Sequence, residues 1–180
     1  MRGIPLPNND SHAPDCTGSR QIYVASSWRN QLQQTVVQLL RSRGHRVYDF
    51  KHPDDTVDRG FHWGDAGLEH SNPIDGDPRA VDLAAAGDFV AALSDRAAIQ
   101  TFHRDFDAMV DADTFVLVLP CGRSAHLELG WAVGAGKRTA VLLDDPCTPE
   151  LMYRMVDRLA ARLEDLVEWL APSGAEALWP

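Results

Sequence analysis

DTFVLVLPCGRSAHLELGWAVGAGKRTAVLL, residues Asp113 to Leu143, decides the fold. Phe115 to Leu119 is an unbroken apolar run, and Pro120, Cys121 and Gly122 stop it. An Ala- and Gly-rich helical segment follows, and Thr139 to Leu143 is a second apolar run. Strand, short loop, helix and buried strand make a βαβ unit, with the crossover that a parallel sheet requires. Ligands of open parallel sheets sit outside the carboxyl ends of the strands. The loop from Cys121 to Ser124 leaves such an end and runs straight into the helix.

Glu128 makes this stretch more than a fold element. Its helical neighbours are Ala125, Leu127, Leu129, Trp131, Ala132 and Val133. A carboxylate in such company needs a reason, because buried charge is costly unless paired. Ser124 is the expected N-cap. A capping box would put its acid at position 127, which is Leu127, so Glu128 stands one helical turn from Ser124 and shares its face. The helix N-terminus favours the ionised form. An aimed, ionised carboxylate near a hydroxyl suits nucleophilic or electrostatic catalysis at a sugar carbon. The plainer alternative is a residue that only satisfies the helix dipole.

Upstream, Gln21 to Ala25 reads as a first strand and Gln31 to Arg43 as a helix, with Leu32, Val36, Leu39 and Leu40 at helical spacing. Gly44 ends that helix, and His45 to Phe50 is a second strand. Where the first strand meets the helix stand Ser26, Ser27 and Arg29. Two hydroxyls, a guanidinium and a helix N-terminus can hold an anion, and helix capping by Ser26 or Ser27 is the structural alternative. No Gly-rich dinucleotide fingerprint or P-loop is present. Lys51 to Asp82 is irregular and rich in Gly, Pro and Asp. An insert this long is functional or mobile. Within it Phe61, His62 and Trp63 could stack on a flat base or anchor the loop to the core. Ala80 to Leu93 and Asp95 to Val110 read as helices. Phe102, Phe106, Met109 and Val110 form the stripe of the second, and Asp105 lies on its edge. Asp105 can equally be a surface carboxylate paired with Arg104.

Downstream, Glu150 to Leu170 reads as one long amphipathic helix, with Leu151, Met155, Leu159, Leu163, Leu166 and Leu170 on one side. This organises the chain as a tail over 1–20, one α/β domain over 21–170 with its insert at 51–82, and a tail over 171–180. The length of 180 residues is enough for a substantial core. No apolar run approaches the ~20 residues of a membrane span, and no basic-then-apolar signal opens the chain. Three widely spaced cysteines argue against a disulfide framework and fit a reducing cytoplasm. A net charge of −9 makes a nucleic-acid polymer a poor partner, while a small anion could still bind local donors.

Two motifs fail. His126-Leu127-Glu128 matches the H-x-E of zinc deaminases and Pro146-Cys147 the start of their P-C-x-x-C, but Glu150 stands where the second cysteine belongs. No metal and no cofactor are expected. No G-x-S-x-G elbow exists, and Cys121 has only His126 as a candidate base.

With these residues assembled, the chain resembles the nucleoside 2-deoxyribosyltransferase superfamily, which includes nucleoside-monophosphate N-glycosidases. The resemblance spans roughly Gln21 to Leu163. It rests on YVASSWR at Tyr23, on HRDFDAMVDADTFVLVLP at His103, and most specifically on S-x-x-x-ELG-x-A-x-x-x-GK from Ser124 to Lys137. It implies a flavodoxin-like three-layer α/β sandwich with a parallel, five-stranded sheet. It implies that Glu128 is the nucleophile at C1′, that Asp105 helps the base depart, and that Tyr23, an aromatic residue of strand one near the site, is catalytic with them. Ser124 and Gly122 then fall in the loop that contacts the sugar or 5′-phosphate, and Ser27 and Arg29 in an S-x-R that contacts the phosphate, beside Ser26. His62 and Trp63 are left for the base. A homodimer or larger homo-oligomer acting on a small nucleoside or nucleotide is implied as well. The insert lies outside the family's minimal pattern, and the asparagine that a neighbouring subunit supplies in the transferases has no clear match. Two alternatives stand beside this reading. One is NAD glycohydrolase chemistry of the Toll/interleukin receptor type, and the other is a nucleotide-binding sensor without turnover.

Overall fold

An apolar run such as Phe115 to Leu119 is satisfied only by cover on both faces of its sheet. In the computed structural model, every residue of strand Thr114–Val118 is buried. The structure describes residues 18–53, 61, 63–68 and 85–171. In chain order the elements are β1 (Gln21–Ala25), α1 (Leu32–Ser42), β2 (Arg46–Tyr48), a 3-10 turn at Trp63–Ala66, α2 (Ala86–Ala92) and α3 (Arg96–Asp111). There follow β3 (Thr114–Val118), α4 (Arg123–Gly134), β4 (Arg138–Leu142), a 3-10 turn at Leu151–Met155, β5 (Arg158–Ala160) and α5 (Leu163–Leu170). Two compact units divide the chain: Met1–Asp49 with Met109–Pro180, and Phe50–Ala108.

The first unit holds one five-stranded sheet in the order β2-β1-β3-β4-β5, every pairing parallel. This is the flavodoxin-like order, whose direction reverses between β1 and β3. Alternation along the strands sends Ile22, Val24, Val116, Val118, Ala140, Leu142 and Ala160 to one face, where Val36, Val37 and Leu40 of α1 and Leu166 and Leu170 of α5 complete a core cluster. The opposite face carries Tyr23, stacked on Phe115 at 4.8 Å and on Tyr48 at 5.3 Å between ring centroids. α4 packs on β1, β3 and β4 through Ala125, Leu129 and Ala132, its buried residues.

The expected helix over Glu150 to Leu170 is not one helix. It breaks into the 3-10 turn, β5 and α5. The leucine stripe misleads because only its second half is used: Leu166 and Leu170 are buried, whereas Leu151 and Leu159 are 80% and 46% exposed. β5 is pinned by Asp157, whose carboxylate accepts from the Thr139 amide at 2.7 Å and the Thr139 hydroxyl at 3.1 Å. Ser124 is also not the cap of its helix. Gly122 takes the extended N-cap conformation, and α4 starts at Arg123. Nor do Ser26 and Ser27 cap α1. The Asn30 side chain accepts from the Leu32 amide at 2.9 Å instead. Met109 of the expected α3 stripe is buried, but Phe102 is 52% exposed and stacks on Phe106. The expected helix from Ala80 is described only as α2, and the segments 1–17, 54–60, 69–84 and 172–180 lie outside the described residues.

Candidate active site at the sheet switch point

Two loops leave the strands where the order reverses, one after β1 and one after β3. Hydrogen bonds join them. The Ser26 hydroxyl donates to the Val118 carbonyl at 2.7 Å. Asn30, 6% exposed, donates from Nδ2 to the carbonyls of Val118 at 3.3 Å and Pro120 at 3.2 Å. Ser27 accepts the Arg29 amide on its hydroxyl at 3.2 Å. Ser26 therefore spends its proton within the fold, while Ser27 keeps its own. Asn30 is the residue that reading the sequence missed. Its signal was an amide directly before an apolar-periodic helix, a place where Asn favours the backbone.

α4 begins at the end of the β3 loop. Gly122 offers no side chain to cap it, so the first-turn amides face the loop. Ser124 is exposed in that turn and Glu128 is half-buried one turn on. The charge of Glu128 is felt in the loop. Cys121 has its thiol pushed up to about 11, first by burial and then by the carboxylates of Glu128 and Asp144. A thiol in that state is protonated at neutral pH and is a poor nucleophile.

Residues two apart on a helix point about 200° apart, so His126 faces away from Glu128. On its side of α4 lies a cavity of about 570 Å³, lined by Cys121, His126, Leu129, Val133 and residues of the Leu151–Met155 turn. His126 Nδ1 is 3.0 Å from the Gly122 carbonyl, which can only accept, so Nδ1 carries the proton. Nε2 is then an acceptor for the Tyr153 hydroxyl at 2.8 Å. Cys121 Sγ lies 3.4 Å from Nδ1. The Tyr153 phenol is pushed up to about 12, first by burial and then by the nearby Cys121, Glu150, Asp144 and Cys147, so it stays protonated to make this bond. His126, the candidate base for Cys121, does lie beside it, but with the proton on Nδ1 it is no base for the thiol, and its pairing with Tyr153 was not foreseen.

Tyr23 is 1% exposed in the stack described above. Lys137, the last residue of the S-x-x-x-ELG motif, donates from Nζ to the carbonyls of Val110 at 2.6 Å and Ala112 at 2.7 Å. Gly136 before it takes a φ of +69°, which glycine adopts freely. That end of the motif is explained by folding alone. In the second unit, Asp105 lies 3.5 Å from Arg104 Nε, and the Trp63 ring meets Phe61 at 5.1 Å and Phe89 at 5.3 Å edge-on. Trp63 thus holds its turn against α2. His62 lies outside the described residues.

The class of protein is a flavodoxin-like α/β fold with a carboxylate in the second turn of the helix that leaves the switch point. No family model matches the sequence, and no curated protein sequence matches it. Among solved structures the chain is similar to a 2-deoxyribosyltransferase from Bacillus psychrosaccharolyticus, with a TM-score of 0.47 at 18% identity over 81% of this chain and 88% of that one. It is also similar to the CMP N-glycosidase BcmB of Clostridium botulinum, with a TM-score of 0.44 at 14% identity over 83% and 96%. Overlap this partial, at identities this low, transfers no residue role to this chain. No helix among the described residues is long and apolar enough to cross a membrane.

Proposed function

We propose that this chain breaks or exchanges the N-glycosidic bond of a nucleoside or nucleoside 5′-monophosphate. Glu128 attacks C1′, the C1′–N electron pair leaves with the base, and Asp105 supplies the proton that the departing base needs. Water, or a second base, then takes the sugar from the Glu128 ester. The observation that carries this reading is the position of Glu128, half-buried in the second turn of α4, whose N-terminus at the switch point has no side-chain cap. Backbone amides at such a terminus suit a sugar hydroxyl or a phosphate. Gly122 and Ser124 belong to that contact, with Ser27 and Arg29 as phosphate donors and Ser26 holding their loop to β3. Tyr23, inside the sheet, is a positioning residue. Trp63 and His62 are candidates for the base. The roles of Asp105, His62 and Trp63 rest on the sequence resemblance, as does assembly into a homodimer or larger homo-oligomer. No metal or cofactor is required.

A chromatographic assay for free base tests the proposal. The protein is incubated with nucleosides, their 5′-monophosphates and NAD, with and without an acceptor base. Base release from a monophosphate supports the hydrolase, and release only with an acceptor supports a transferase. Nicotinamide release from NAD alone selects the glycohydrolase alternative. Binding without release of any base selects the sensor.

A further inference from the structure

The cavity on the His126 side of α4 has the marks of a ligand site of its own, which shares Gly122 of the β3 loop with the Glu128 side. Its volume of about 570 Å³ falls in the range of small-molecule pockets, roughly 300–1,000 Å³. Its walls are mainly apolar, with Leu129, Val133, Met152, Met155 and Val156, and its charged lining is one cation, Arg123, and one carboxylate, Glu150. Methionine sulfurs adapt to irregular shapes and favour aromatic rings. At the polar end, the rings of His126 and Tyr153 lie within 3° of parallel. Their centroids are 5.9 Å apart, and the 2.8 Å bond joins them edge to edge. Parallel rings beside methionine side chains suit a flat ligand ring. The hydrogen-bond roles narrow the choice further. His126 Nδ1 donates to Gly122 and Nε2 accepts the hydrogen bond of the Tyr153 hydroxyl, so what this pair still offers a ligand is the lone pairs of the Tyr153 oxygen. The carboxylate of Glu150 is engaged with the Met152 amide at 3.0 Å.

We propose that this cavity binds a planar, uncharged aromatic molecule that donates an N–H or O–H to the Tyr153 oxygen, at a site distinct from the Glu128 side of the same helix. Indole is a fitting probe, because it is flat, neutral and carries one N–H. Its 1-methyl derivative lacks only that donor. Ligand-observed NMR titration of the full chain should show saturable indole binding, with 1-methylindole bound about tenfold more weakly, the difference of about one hydrogen bond. Tyr153→Phe should erase that difference by weakening indole alone. Gly130, on the cavity wall, has nothing within 4 Å of an added Cβ. Gly130→Phe should therefore plug the cavity without disturbing the core and reduce indole binding more than tenfold. The comparison of the two probes on the unmodified chain needs no variant, so a misfolded mutant does not blunt the test. Equal binding of both probes, or no saturable indole binding, would overturn the proposal. So would a dimer that becomes a monomer in Gly130→Phe while indole never binds, which would make the cavity the seat of a second copy.

Discussion

The two sides of α4 differ in how they are built. The Glu128 side is local: a carboxylate, a serine four residues earlier and a glycine cap, all within one short stretch of chain. The His126 side is assembled from afar, since Tyr153 is 27 residues from its partner. A local arrangement leaves a spacing that can be read along the chain. An assembled one leaves none, because nothing in either segment marks the other. The difference also separates two kinds of claim. The first side has a motif and a charged group poised at a strand end, and the second has a cavity and a closed set of hydrogen bonds.

The contrast breaks first at Glu128. Glu128→Gln should lower kcat for base release on the order of 10³–10⁴-fold, the scale seen when a group acting in the transition state is removed. Circular dichroism should show an unchanged fold. A loss under tenfold would leave Glu128 as a helix residue only. The next effect is on Cys121, which reports the same charge without any substrate. Its thiol stands near 11 rather than 9.0, so at about pH 8 it should be alkylated roughly a hundredfold more slowly than an unhindered, unshifted thiol. Because a nearby negative charge raises a thiol, Glu128→Gln should lower it and speed the alkylation. Peptide mass spectrometry separates Cys121 from the exposed Cys147. An unchanged rate would mean that Glu128 does not reach the loop.

Asn30→Ala sharpens the claim that the switch-point loops are tied together. It takes a partner from the amide of Leu32 and the carbonyl of Pro120, leaves Ser26 alone on the carbonyl of Val118, and should cost about 1–3 kcal/mol in urea unfolding. A cost near zero would show that the loops hold without it. The smallest effect concerns phosphate. Ser124→Ala should raise KM for a monophosphate by about tenfold, the worth of one hydrogen bond to a charged group, with little change for the free nucleoside. Equal changes for both would remove Ser124 from the phosphate contact.

Much of the fold was legible because it repeats simple periods. β1, β3 and β4 are short apolar runs bounded by polar or turn residues, and α1 carries apolar residues at helical spacing. β5 was not legible. Three residues, Arg158 to Ala160, are too short to show alternation, and leucines on both sides continued a helical spacing through them by coincidence. What places β5 is a side-chain grip by Asp157 on Thr139 across the sheet. A fifth strand came only from the family resemblance. The site divides in the same way. Glu128 and its relation to Ser124 could be read from spacing, whereas Asn30 gave only a weak local signal. The motif itself mixes purposes, since Gly136 and Lys137 close α4 and hold the end of α3.

The central claim is that Glu128 becomes covalently joined to the sugar. Trypsin cuts after Arg123 and Lys137, and the peptide Ser124 to Lys137 contains Glu128 as its sole carboxylate side chain. The measurement is mass spectrometry of that peptide after rapid acid quenching during turnover of whichever substrate releases base. The account predicts a peptide heavier by the sugar, or sugar phosphate, without its base, and no such adduct in Glu128→Gln. Steady base release with this peptide always unmodified would contradict it.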